Sequence, residues 1–194
     1  MRLGLLGGTF DPIHLGHLRA AENAREALGL DRVAFVPAGQ PPHKGAPVSA
    51  AIDRYAMVAL ATSGHDLFWP SDVEIGRTGP SYTVETVDAL LARGEASALH
   101  LIVGSDTFVE MTGWRDAARL FSLCHVAVVP RPGADAAAPP RAPFPDARGV
   151  DLVPGPSLSI SASTIRAEVR AGRSVRYLVP EAVASYIEKR GLYS

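Results

Sequence analysis

The sequence predicts an α/β fold: a doubly wound parallel sheet with further helices toward the C-terminus. Three observations predict it. Leu3–Leu6, Val33–Val36, Leu99–Val103 and Val126–Val129 are unbroken apolar runs, as parallel strands covered on both faces require. Amphipathic stretches of helical length separate those runs, which is the strand–helix–strand pattern of right-handed crossovers. The chain has 194 residues, 47% of them hydrophobic, which suits one domain over 1–194 with a single sizeable core.

In chain order, the first strand leads into a helix over Leu15–Leu28 with Gly29 as its C-cap. After the second strand, the periodicity predicts a helix over Ala50–Ser63, then one over Thr83–Arg93 closed by Gly94. The third strand is followed by a helix over Trp114–Leu123 and then by the fourth strand. Helices over Ser163–Ala171 and Pro180–Lys189 finish the chain, the second with proline in its first turn. Arg131 to Gly149 is rich in Pro and Ala with no usable period, and it reads as a mobile loop.

Composition excludes several classes of function. A net charge of −1 gives no field for tracking a duplex, so nucleic-acid binding is not expected. The single cysteine, Cys124, makes neither an internal disulfide nor a cysteine-rich zinc site. No apolar run approaches the roughly 20 residues that cross a bilayer, and the first residues do not form a signal peptide. A soluble, cytoplasmic protein is expected, with no membrane partner. Seventeen of the 19 basic residues are arginine, so the two lysines, Lys44 and Lys189, stand out as compact point charges.

The richest segment is Gly7-Gly8-Thr9-Phe10-Asp11-Pro12-Ile13-His14-Leu15-Gly16-His17, directly after the first strand. Its two glycines allow a sharp turn and close backbone approach to a ligand. Asp11-Pro12 suits a turn or the start of a helix. His14 and His17, three apart, face one way where a helix N-terminus also presents free N–H groups. This is a site for an anion that gains charge in a transition state. A metal site built on the two histidines and Asp11 is the competing reading, but no third strong ligand is nearby. A plain structural turn is another, and the dinucleotide fingerprint is absent.

Four further segments and one tryptophan carry chemistry. Pro41-Pro42-His43-Lys44 lies in a stiff loop that presents a lysine to a phosphate or simply to water. Pro80-Ser81-Tyr82-Thr83 precedes a helix, which Ser81 or Thr83 is placed to cap. Gly104-Ser105-Asp106 follows a strand at its carboxyl end, where such sheets place ligands; the Asp can take ribose hydroxyls or cap a helix. Trp114 is either a core residue or a stacking platform. In Ile160-Ser161-Ala162-Ser163-Thr164-Ile165-Arg166, hydroxyls, helix amides and a guanidinium converge on one anion or form a capping run.

Taken in order, these blocks resemble the bacterial nicotinate-nucleotide adenylyltransferase family of the nucleotidylyltransferase superfamily, from Met1 to about Leu192. His14-Leu15-Gly16-His17 matches its His-x-Gly-His element, shared more distantly with class I aminoacyl-tRNA synthetases. Pro130-Arg131-Pro132-Gly133 matches a further family element. Two positions depart: Ser163 stands where Thr is usual, keeping the hydroxyl, and Arg115 stands where many members carry Tyr.

The resemblance implies a Rossmann-like fold and transfer of the adenylyl group of ATP to nicotinate mononucleotide, releasing pyrophosphate. It implies small-molecule nucleotides as partners and Mg2+ arriving with ATP, with no dedicated protein metal ligands. His14, His17, Lys44 and Arg166 would be catalytic. Gly7, Gly8, Thr9, Phe10, His14, His17, Gly104, Asp106, Ser163, Thr164, Ile165 and Arg166 would hold ATP. His43, Lys44, Ser81, Tyr82, Thr83, Trp114 and Arg131 would hold the mononucleotide. Alternatives are phosphopantetheine adenylyltransferase, a non-catalytic nucleotide-binding module and an RNA-binding derivative of the synthetase-like fold. The sequence leaves oligomeric state open, including a homo-oligomer, and does not say whether Arg115 meets substrate.

Overall fold

The computed structural model describes residues 1–42, 47–94, 96–130 and 140–194. His43, Lys44 and Arg131, assigned above to the mononucleotide, lie outside the described residues, as does the first half of the Arg131–Gly149 segment.

Six parallel strands form one sheet in the order β3-β2-β1-β4-β5-β6. They are β1 (Arg2–Gly8), β2 (Arg32–Pro37), β3 (Phe68–Pro70), β4 (Ala98–Gly104), β5 (His125–Val129) and β6 (Val150–Leu152). The helices are α1 (Leu15–Leu28), α2 (Ala51–Thr62), α3 (Thr83–Ala92), α4 (Ser105–Glu110), α5 (Ala117–Leu123), α6 (Ala162–Arg170) and α7 (Glu181–Arg190). The four apolar runs are the four interior strands. Each sends alternate side chains into two cores. Leu6, Val33, Phe35, Ile102, Ala127 and Val129 pack on one face with residues of α1, α2, α6 and α7. Leu3, Leu5, Ala34, Val36, Leu101, Val103 and Val126 pack on the other with α3 and α5.

Gly29 closes α1 in the left-handed conformation at φ 58°, and Gly94 follows α3 at φ 68°. Both positions disfavour a Cβ.

The structure differs from the sequence reading in three places. The edge strands β3 and β6 have three residues each, too short for an apolar run to reveal. Helix α4, directly after β4, is six residues long and buries none of them, so it leaves no apolar stripe. The helix expected from Trp114 begins at Ala117, because Trp114 is extended and Asp116 is left-handed at φ 52°. The described part of the Arg131–Gly149 segment carries no helix or strand and packs against α5. Phe144 packs on Phe121 with ring centroids 5.5 Å apart, and the Arg148 N–H donates to the Phe121 carbonyl at 3.0 Å.

Among the described residues, no helix is long and apolar enough to cross a membrane.

Candidate active site

The strand order reverses between β1 and β4, and at such a switch point the crossover helices diverge and leave a crevice at the strands' carboxyl ends. A cleft of about 220 Å³ opens there. It is lined by Leu6 of β1, His14, Gly16 and His17 of the first crossover, Gly104 of β4, and Leu158 from the segment before α6.

The opening motif builds one wall. Gly7 and Gly8 are the last residues of β1, and the left-handed residue of the turn is Phe10 at φ 51°. The turn therefore falls two residues later than the glycines suggest. Phe10 tolerates the conformation because its ring is buried, edge-on to His17 at 5.0 Å and tilted against Phe35 at 6.2 Å. A Cβ on Gly8 would lie 3.1 Å from that ring, so the glycine serves the packing of Phe10.

His14 is the N-cap of α1, and its ring stacks on His17 at 3.6 Å. The His14 backbone N–H donates to His17 Nδ1 at 3.2 Å, which puts the ring hydrogen of a neutral His17 on Nε2. Burial pushes His14 down to about 4, so it is neutral at pH 7, and its Nδ1 has no partner among the described residues. Gly16 makes the stack possible, since a Cβ there would stand 3.0 Å from His14 Nδ1. The glycine between the two histidines thus lets the His14 ring lie close against the helix backbone.

From the far end of the chain, Arg166 on α6 donates through one terminal nitrogen to the Asp11 carbonyl at 2.6 Å. Its Nε is buried without a partner among the described residues. Ser161 caps α6, accepting from the Thr164 N–H at 3.1 Å, and its hydroxyl lies 2.9 Å from Ser163 Oγ and 2.8 Å from Thr164 Oγ1. Three exposed hydroxyls thus surround one helix N-terminus. Ile165 sits on the core side of α6. Its side chain is fully buried and its N–H is donated to the Ser161 carbonyl, so it packs beneath the helix.

Ser81 also differs. It is buried, and its oxygen accepts from the N–H groups of Gly39 at 3.1 Å and Gln40 at 3.2 Å. That commits the hydroxyl to fastening the Gly39 loop. Neither Ser81 nor Thr83 caps α3; the N-cap is Tyr82, without a side-chain bond. The Glu85 N–H turns back to the Tyr82 carbonyl at 3.1 Å, which leaves the amides of Thr83 and Val84 as the first-turn donors without an intrahelical acceptor. Arg115 lies over the Tyr82 ring at 4.4 Å and 3.9 Å from Glu85, which answers where that arginine goes. Gly104 and Asp106 are exposed at the start of α4, and Trp114 is half-buried against the α3–α5 core.

Behind the histidines lies a network that the sequence reading missed. Arg54, on α2, is 1% exposed. It donates to the carbonyls of Thr9 at 2.8 Å, Gly39 at 3.1 Å and Ser49 at 3.3 Å. One guanidinium thereby joins the opening turn, the Gly39 loop and the start of α2. Beside it, the buried Asp11 carboxylate accepts from the Val48 N–H at 2.7 Å, from the Ser49 hydroxyl, and from Tyr193 Oη at 2.8 Å. Burial lowers the Arg54 pKa while Asp11 opposes the shift. No sequence pattern marks a mid-helix arginine as buried, but the need to satisfy the carbonyls of a buried turn does.

The sequence model of the cytidylyltransferase-like family matches residues 5–168. A relative in Geobacter sulfurreducens, named as a probable nicotinate-nucleotide adenylyltransferase, is 40% identical, covering 100% of this chain and 99% of its own. One of the same name in Corynebacterium kroppenstedtii is 44% identical, covering 99% and 90%. The chain belongs to the nicotinate-nucleotide adenylyltransferase family. Its fold is also that of the Plasmodium falciparum nicotinic acid mononucleotide adenylyltransferase solved with NaAD. That likeness has a TM-score of 0.80 at 16% identity and covers 99% of this chain and 97% of the other. In open sheets of this kind, ligands bind outside the carboxyl ends of the strands at the switch point, which here lies between β1 and β4.

Proposed function

We propose that the protein transfers the adenylyl group of ATP to nicotinate mononucleotide, giving nicotinate adenine dinucleotide and pyrophosphate. The observation that carries the reading is convergence. Arg166, on α6, bonds the carbonyl of Asp11 in the turn that leads into His14 and His17. Residues 155 positions apart thus meet at the turn that leads into the two histidines lining the cleft.

The chemistry follows from charge. A phosphate oxygen of the mononucleotide attacks the α-phosphorus of ATP, and the bond to the bridging oxygen breaks as pyrophosphate leaves. The nucleophile is already anionic at neutral pH, so no base is needed. The barrier lies in bringing anions together and in charge moving onto the leaving oxygens, which positioned donors relieve. His17, with its hydrogen on Nε2, and the neutral His14 donate to the phosphates. Arg166 and the hydroxyls of Ser163 and Thr164 hold the leaving group, and Lys44 draws in the mononucleotide phosphate. Gly104 and Asp106 face the ribose, and Trp114 stacks on the pyridine ring. Amides at the start of α3 suit a carboxylate better than a carboxamide. Mg2+ arrives chelated by the ATP phosphates, since the Asp11 carboxylate is already committed to protein donors.

The deciding experiment offers Mg2+-ATP with nicotinate mononucleotide, its amide counterpart or phosphopantetheine, and follows pyrophosphate and adenylylated product. The acid mononucleotide should be preferred over the amide by at least about tenfold. Product formed only from phosphopantetheine, or nucleotide binding without pyrophosphate, overturns the reading.

A further inference from the structure

At the amino-terminal edge of the sheet, away from the cleft, three adjacent strands each place a metal-binding side chain on one face. His100 on β4 is in register with His125 on β5, and Asp151 on β6 is in register with Ala127, two residues along β5. Alternation along strands sends all three side chains to the same side. The imidazoles stack at 4.9 Å and 19°, and His125 Nδ1 lies 3.7 Å from an Asp151 oxygen. One ligand atom from each residue lies within 4.8 Å of the others.

Two independent features point to a ligand. His100 is 4% exposed, yet its Nδ1 has no partner among the described residues, an uncommon and costly state for a buried polar atom. The three residues also line a cavity of about 320 Å³, together with Arg2, Leu28 and Ala98. The backbone leaves room as well: a Cβ on Gly149 would fall 3.1 Å from His125 Nδ1.

We propose that His100, His125 and Asp151 bind a divalent cation of the zinc class. Two imidazoles and one carboxylate suit a borderline ion and not the hard Mg2+ that accompanies ATP. The ligand atoms must close to about 3.3 Å for tetrahedral bonds near 2.1 Å. His125 and Asp151, 36% and 40% exposed, have the freedom to move. The C-terminal end of α1, reaching the cavity through Leu28, adds the negative end of a helix dipole. Arg2 works against the ion and sets a ceiling on affinity. Three protein ligands leave a fourth position for water, and the bound ion would tie the three-residue β6 to β4 and β5.

The test titrates the purified, metal-stripped protein with Zn2+ against a chromogenic chelator, and with Co2+ followed by its d–d absorption. One equivalent of Zn2+ is expected, with a tetrahedral Co2+ spectrum and a rise in melting temperature. His125→Ala should weaken binding by more than about a hundredfold, beyond the cost of losing a supporting partner. Asp151→Asn, at an exposed position, tests the third ligand without risk to the core. Failure of the parent to bind Zn2+ overturns the proposal. So does binding that survives His125→Ala, which would move the ion elsewhere, for example to His14 and His17.

Discussion

An imidazole buried as deeply as His14 resists protonation, and this has a measurable consequence for stability. In the unfolded chain it takes up a proton near 6.5, and in the folded chain only near 4. Between those values the unfolded state holds more protons, so stability rises with pH across the window and is lost as pH falls through it. The loss reaches about 3 kcal/mol for His14, and His100 shifts in the same direction. Urea midpoints at pH 7 and pH 4.5 should differ less in His14→Asn than in the parent; an equal difference in both would remove His14 from the account. His17 is expected to act on rate. His17→Ala should lower turnover by about two orders of magnitude, the size of effect seen on removing one transition-state donor, with a smaller change in ATP affinity. Turnover within a few-fold of the parent would take His17 out of the chemistry.

Helix α1 offers a separation of rate from stability. Alanine is a better helix former than glycine by about 1 kcal/mol, so Gly16→Ala should leave the melting temperature nearly unchanged or raise it. Its Cβ nonetheless stands 3.0 Å from His14 Nδ1, so the ring must give by a few tenths of an ångström, and kcat should fall while the melting temperature does not. A fully active Gly16→Ala would show that the stacked pair tolerates movement. The same helix shows why some elements were readable and others not. Its periodic apolar face, its glycine cap and the unbroken runs on either side are all local signals. The edge strands β3 and β6 have no such signal, because Pro70 and Asp151 interrupt runs already only three residues long. The blocks of the site were readable as motifs, but the work of single residues within them was not. Ser81 lies in a binding motif and spends its hydroxyl on the Gly39 loop, a partnership set by residues 42 positions apart. Arg54 resembles any helical arginine until the turn it supports is folded around it.

Across the whole molecule, the floor of the site depends on donors brought from distant places. Arg54→Met should strip three carbonyls of their donor and leave Asp11 without its neighbouring charge, costing about 3 kcal/mol or more. In a chain of this size that lowers the melting temperature by roughly 10 °C; a drop of only a degree or two would mean that water replaces the guanidinium. Tyr193→Phe removes one donor from the buried Asp11 carboxylate and should cost about 1–2 kcal/mol by chemical denaturation. Tyr193 stands 182 residues from the aspartate it holds. During synthesis at about 5–20 residues per second, the first catalytic segment emerges roughly ten seconds or more before its last fastening. The opening turn is therefore made long before the residue that fastens its carboxylate, and that clasp closes only once Tyr193 has been added.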